Sequence, residues 1–241
     1  MIPLRDENPA RTTPYVVYVL LAANILAFVY NGTMGPHTRN PLAGFELVAA
    51  ELVTGRDVGP PTPIAPWLTI FTSMFLHGNL LHIGGNMLYL WIFGNNIEDV
   101  LGHFKFVAFY LLAGAAAAMA QVLSNPMDPK PMVGASGAIA GVLGAYMVLF
   151  PRARVITLLI VFYFIRIAAL PASLVLGFWI ALQIINSLML GSGMMPGGGV
   201  AYAAHVGGFA AGVILILLFG GGRLLRGRRA VEYRRRSGWY R

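Results

Sequence analysis

The chain contains no cysteine, so disulfides, thiolate catalysis and cysteine-ligated zinc are excluded. Charge is also scarce: Asp, Glu, Lys and Arg together make up 11% of the 241 residues, against about 25% in a soluble globular domain. So few charges cannot cover a water-exposed surface. Acids are scarcest in the middle, where residues 67–222 hold only Glu98, Asp99 and Asp128. All three fall in or near expected turns, so a hydrolase here has to do without a carboxylate in its core. No internal repeat and no soluble domain is visible. The first ten residues carry the polar run Arg5–Asn8, and the apolar stretch after them ends without a small-x-small cleavage site, so it is expected to remain as a helix.

What the chain has instead is apolar sequence. Hydrophobic residues make up 57% of it and the mean hydropathy is +0.69, which makes the bilayer the natural solvent. A spanning helix needs roughly 20 apolar residues, with about 17 as the lower limit. Six segments come near this: 14–30, 80–93 with its flanks, 104–123, 133–150, 171–190 and 200–219. The expected class is therefore an all-α polytopic membrane protein with six transmembrane helices. Residues 1–13 form a cytoplasmic N-terminus, 14–220 the transmembrane domain and 221–241 a cytoplasmic tail.

The basic residues support that count. Arg5, Arg11, Lys105, Arg152, Arg154, Arg166 and the tail all fall on one side, as the positive-inside bias requires. Residues 223–241 carry eight Arg against one Glu and supply nearly all of the net charge of +8. A juxtamembrane anchor on anionic lipid head groups explains this tail. No basic stripe with interleaved aromatics occurs elsewhere, so nucleic acid is not an expected partner. The apolar stretch 155–165 is too short to span and is flanked by arginines, so an interfacial or re-entrant segment is expected there. The loop 31–66 is too long for a plain connector, and 45–53 within it reads as a short interfacial helix.

Polar side chains at membrane depth are costly and mark function. They are Asn24, His77, His82, Asn86, Ser136, Gln183, Asn186 and His205. In the string HGNLLHIGGN at 77–86, His82 and Asn86 stand at i and i+4 and share one helical face. In VGASGAIAG at 133–141, Gly134, Gly137, Gly141 and Gly144 form a stripe without side chains beside Ser136. In AHVGGFAAG at 204–212, Gly208 and Gly212 form a matching stripe beside His205. Small residues at this spacing let two membrane helices approach closely, which would bring a hydroxyl and an imidazole into hydrogen-bond range.

Serine needs such a base to become nucleophilic. With no acid available, the expectation is a Ser136–His205 dyad whose imidazole is oriented by packing or by a backbone group. His82, Asn86 and the Ser136 backbone N–H are then free to serve as oxyanion donors. No metal and no cofactor is expected. The competing readings are a transporter, a bis-histidine haem carrier using His82 and His205, and a catalytically silent helix-binding protein.

At these residues the chain resembles the rhomboid family of intramembrane serine proteases over about residues 67–220. The motifs are His77 with HIGGN at 82–86, FGNNIE at 93–98, GASG at 134–137, and AHVGG at 204–208 followed by Gly212. The resemblance implies a rhomboid-like bundle in which Ser136 is nucleophile and His205 general base, with His82 and Asn86 lining the oxyanion hole. It makes Glu98 a structural cap, 191–199 a mobile loop over the site, and the fifth span a lateral gate. It also implies single-pass membrane proteins as substrates. A bacterial cytoplasmic membrane with both termini cytoplasmic is the expected location. Two family features are missing: the Tyr found in some members four residues after the nucleophile is Ala140 here, and Arg56 is not preceded by Trp.

Overall fold

The computed structural model describes residues 1–33, 41–59, 61–161, 163–191 and 200–226. Most of the Arg-rich tail, nearly all of the loop 191–199, and residues 34–40 and 60 of the first loop lie outside the described residues. The protein is mostly helical. Helix α1 covers Tyr15–Thr33 and α2 is a short turn at Ala49–Thr54, shifted slightly from the interfacial helix expected at 45–53. A single turn, α3, covers Thr69–Thr72. Helix α4 (Leu80–Tyr89) continues through a π-helical turn at Leu90–Gly94 into α5 (Asn95–Leu101). Then come α6 (His103–Ser124), α7 (Ser136–Leu149), α8 (Ala172–Gly191) and α9 (Tyr202–Leu218).

Among the described residues three helices are long and apolar enough to cross a membrane: Tyr15–Gly32, His103–Ser124 and Ala172–Met189. Helices α7 and α9 are apolar but shorter, with 14 and 17 residues. Helix α7 is the axis of the fold, and ten of its residues, from Ala138 to Leu149, are buried. A helix enclosed over most of its length needs little side-chain bulk, and its glycines show why. A Cβ on Gly212 would meet the carbonyl oxygen of Gly141, and one on Gly208 would meet that of Gly137. Helices α7 and α9 therefore touch backbone to backbone, as the glycine spacing predicted. Helix α6 joins them with alanines: Ala113 faces Gly141 and Ala117 faces Gly137.

Replacing Gly212 with Val should force these helices apart. Overpacking of this kind costs about 1–3 kcal/mol, read as a lower melting temperature in detergent. An unchanged melt would show that α7 and α9 do not depend on this contact.

The end of the bundle far from Ser136 is held by buried acids. Glu98 is fully buried and accepts the Val16 and Val17 backbone N–H groups at 2.9 and 2.8 Å. These are orphan donors of the first turn of α1, so Glu98 caps that helix through space. His103 Nδ1 lies 2.6 Å from the same carboxylate. Replacing Glu98 with Ala should cost about 1–3 kcal/mol, since buried donors then lose their partner. Equal stability of the two proteins by denaturant titration would refute the cap.

The stretch 155–165, expected to be interfacial or re-entrant, lies within a pair of strands. Strands β4 (Arg154–Val161) and β5 (Phe164–Pro171) form an antiparallel hairpin. The N-terminal residues complete it, as β1 (Ile2–Asp6) pairs with β4. Asp6 ties this sheet to the bundle, accepting from Tyr146 Oη at 2.7 Å and Asn96 Nδ2 at 2.9 Å. Burial pushes the Asp6 carboxyl above its ordinary range, opposed by these hydrogen bonds. At the other end a two-residue ladder joins β2 (Leu47–Val48) to β3 (Pro131–Met132), which ties the first loop to the segment leading into Ser136.

Candidate active site

Ser136 is the first residue of α7. Its backbone N–H is therefore among those that find no acceptor inside the helix, and it sits at the positive end of the helix dipole. The chain reaches it through Gly134, whose φ is +124° and whose N–H donates to the Ser73 carbonyl at 2.8 Å. A Cβ at Gly134 would come within 2.6 Å of His82 Nε2. Gly134 is thus no part of the glycine stripe on α7, where sequence spacing had placed it. It bends the backbone ahead of the helix and leaves room for an imidazole.

His205 lies in the first turns of α9. Its Nε2 is 2.8 Å from Ser136 Oγ, so the close glycine packing does bring the two side chains together. Its Nδ1 is 2.8 Å from Gln183 Oε1 on α8. The Gln183 Nε2 group in turn points to the Trp179 carbonyl at 3.4 Å. A carbonyl oxygen can only accept, so Nδ1 carries the proton and Nε2 is left to take one from the serine. The expected orienter, packing or backbone, is replaced by a side-chain amide. Packing contributes as well, since the Trp179 ring lies 5.7 Å from the imidazole, tilted by 38°. Ala140 is fully buried, and the aromatic neighbour of His205 comes from α8.

The second motif faces the same space. Asn79 caps α4 by accepting the His82 backbone N–H at 2.9 Å, which sets the turn that carries His82 and Asn86. Asn86 Nδ2 donates to His77 Nε2 at 2.8 Å, leaving its second amide hydrogen available. The His77 and His82 rings meet edge to face at 5.0 Å. Ser136, His205, His82, Asn86 and Trp179 all line one cavity of about 920 Å³, which extends to Asp128 and Lys130 in the turn before Ser136. Every site residue expected from the sequence lies at this cavity or in the glycine contacts beneath it.

Three further residues complete the arrangement: His77, Trp179 and Gln183. Gln183 already stood out as a polar residue at membrane depth, but nothing in the sequence pointed it at His205. No group of three or more His, Asp or Glu side chains able to hold a metal occurs among the described residues. Chemically, the cavity offers a nucleophile, a base with a defined tautomer, and N–H donors from α4 and the start of α7.

A family model described as the rhomboid domain matches residues 65–222. Rhomboid protein 1, mitochondrial, of Saccharomyces cerevisiae is 30% identical over 203 residues, covering 83% of this chain and 51% of the yeast protein. Rhomboid protease GluP of Bacillus subtilis is 30% identical over 135 residues, 56% of this chain and 24% of its own length. The presenilin-associated rhomboid-like protein, mitochondrial, of Mus musculus is 34% identical over 144 residues, 58% of this chain and 35% of its own. The chain thus spans about half or less of the length of these relatives. Two of the three are mitochondrial by name, so the similarity points to a membrane but not to the bacterial cytoplasmic one expected above.

Proposed function

The chain belongs to the rhomboid family of membrane proteins, and from that premise we propose that it is an intramembrane serine endopeptidase. The observation that carries the proposal is the 2.8 Å approach of His205 Nε2 to Ser136 Oγ inside an apolar bundle. Its substrates are membrane proteins with a single span, cut in or near that span. Ser136 Oγ attacks the scissile carbonyl carbon while its proton passes to His205 Nε2. The tetrahedral oxyanion is held by the Ser136 backbone N–H, Asn86 Nδ2 and His82. Collapse breaks the C–N bond, the proton moves from Nε2 to the leaving amine, and a Ser136 ester remains. Water then attacks that ester, giving its proton to Nε2. Release of the carboxyl product returns that proton to Oγ.

The domain responsible is the six-helix unit over 14–220, with α1, α4 with α5, α6, α7, α8 and α9 as its spans and both termini on the cytoplasmic side. Helix α7 rises only about 21 Å at 1.5 Å per residue, short of the roughly 30 Å hydrocarbon core. With its C-terminal end at the arginine-bearing surface, Ser136 lies below the opposite surface. A substrate helix hides its own carbonyls in hydrogen bonds. It must unwind to be cut, so small or helix-breaking residues near that boundary are favoured. Helix α8 is the entry gate.

The test is labelling of detergent-solubilised protein with a fluorophosphonate, in parallel with cleavage of a single-span reporter. Labelling of the unaltered chain, lost in both Ser136→Ala and His205→Ala, is the expected result. A folded chain that neither labels nor cuts would be a silent family member that only binds helices. Labelling that survives Ser136→Ala would mean that another residue is the nucleophile.

A further inference from the structure

The three-stranded sheet at the far end of the bundle presents two unlike faces, which the register identifies. Val155 pairs with Leu170 and Thr157 with both Ala168 and Pro3. Val155, Thr157 and Pro3 are buried, and Val155 belongs to the hydrophobic core with the partly buried Leu170 packed against it. Side chains alternate across a strand, so Ile156, Leu158 and Ile160 point the other way. Their partners are Ala169, Ile167 and Ile165, with Ile2 completing the row on β1. Beyond the arginines at its bundle end this outward face is aliphatic, yet Ile165 is 68% exposed, Ile167 66%, Ile160 50% and Ile2 42%. Tyr163, at the hairpin turn, is 98% exposed.

A contiguous aliphatic sheet face is not left bare in water. We propose that this face lies along the membrane interface, its isoleucines in contact with lipid and its arginines on anionic lipid phosphates. Continuity with the lipid-facing surface of the bundle identifies the occupant. Strand β5 ends at Pro171, and α8 begins at Ala172 without a linker. The exposed row on α8, Leu174, Phe178, Leu182 and Ile185, faces lipid in any spanning arrangement of that helix. A sheet hanging free into water would leave its own aliphatic row wet, whereas one leaning along the membrane surface extends the row of α8.

Charge placement agrees. By register Arg154 and Arg5 stand on the outward face at its bundle end, Arg5 opposite Ile156. Both are exposed, as is Arg152 beside them. Arginines at the level of the helix ends and aliphatic residues beyond them form the pattern of an interfacial anchor, attracted by anionic lipid and buried by its apolar face. Because β5 leads directly into α8, the seating of the sheet also sets the depth of that helix. None of this depends on the dyad cutting peptide bonds.

The absence of cysteine makes the test clean. Full-length Ile167→Cys and, as a water-exposed control, Arg56→Cys are labelled with a polarity-sensitive fluorophore. Each is reconstituted into phosphatidylcholine vesicles with and without phosphatidylglycerol. The label at 167 should emit to the blue of the control, be quenched by nitroxide-bearing lipid and be shielded from aqueous iodide. Replacing Arg5 and Arg154 with Gln should abolish any added blue shift seen with phosphatidylglycerol. A 167 label quenched by iodide as fully as the control would overturn the proposal. Shielding that disappears as protein is diluted in lipid would overturn it in favour of a second copy of the chain. Equal emission with and without phosphatidylglycerol would refute the role of the arginines.

Discussion

Ser136→Ala, His205→Ala and the double variant should all show the same residual cleavage rate, lower than that of the unaltered chain by about 10⁴–10⁶-fold. The reason is that the two side chains act as one unit. Without His205 the hydroxyl at 2.8 Å from Nε2 keeps its proton and is a poor nucleophile. Without Ser136 the imidazole has nothing to activate. Whatever rate survives comes from the donors of Asn86, His82 and the Ser136 backbone N–H, which both substitutions leave in place. KM should change little, since neither group holds the bulk of a substrate helix. Single-turnover cleavage of a reporter in proteoliposomes measures all four proteins. If the double variant were slower than either single one by the product of their effects, the two residues would act independently and the dyad would be wrong.

Gln183→Leu should lower kcat by about 10²–10³-fold with KM and melting temperature nearly unchanged, on the scale of general-base assistance and of losing the correct tautomer. Leucine keeps the volume of the side chain but removes the oxygen that accepts from Nδ1. The imidazole can then carry its proton on Nε2, where it cannot accept the one on Ser136. Gln183→Glu restores an acceptor at the same reach and should recover much of the rate, which a merely structural role would not require. Trp179 holds the other side of the ring, so Gln183→Leu is expected to fold. Undiminished kcat in Gln183→Leu would remove Gln183 from the mechanism and leave packing as the only restraint on His205.

The glycine stripes explain why so much of the site was legible. Gly137, Gly141, Gly208 and Gly212 occur at helical spacing beside a serine and a histidine. Once both segments are helices, that spacing leaves little choice about which faces meet. The start of α7 was less visible. The apolar pattern begins at Val133, but Gly134 takes a positive φ that a helix cannot use, so the helix starts at Ser136 itself. That offset of three residues puts the nucleophile at a helix N-terminus, where its N–H is available. The hairpin was hidden for another reason. A short apolar run between arginines fits a strand as well as an interfacial helix, and its pairing with Ile2–Asp6 spans some 150 residues of sequence.

The sequence by itself determined that this is a membrane protein of helices. It also determined which serine and histidine meet. These are matters of composition and local spacing, which one helix carries within itself. Only the tertiary structure decided what holds His205. The partner is Gln183, 22 residues away on a separate helix, and its reach depends on the rotation of α8 against α9. It likewise decided that the two chain segments around β1 and the hairpin form one sheet with an aliphatic outer face. Rotation between helices and register between distant strands arise from the packing of the whole chain, and no local pattern of residues encodes either.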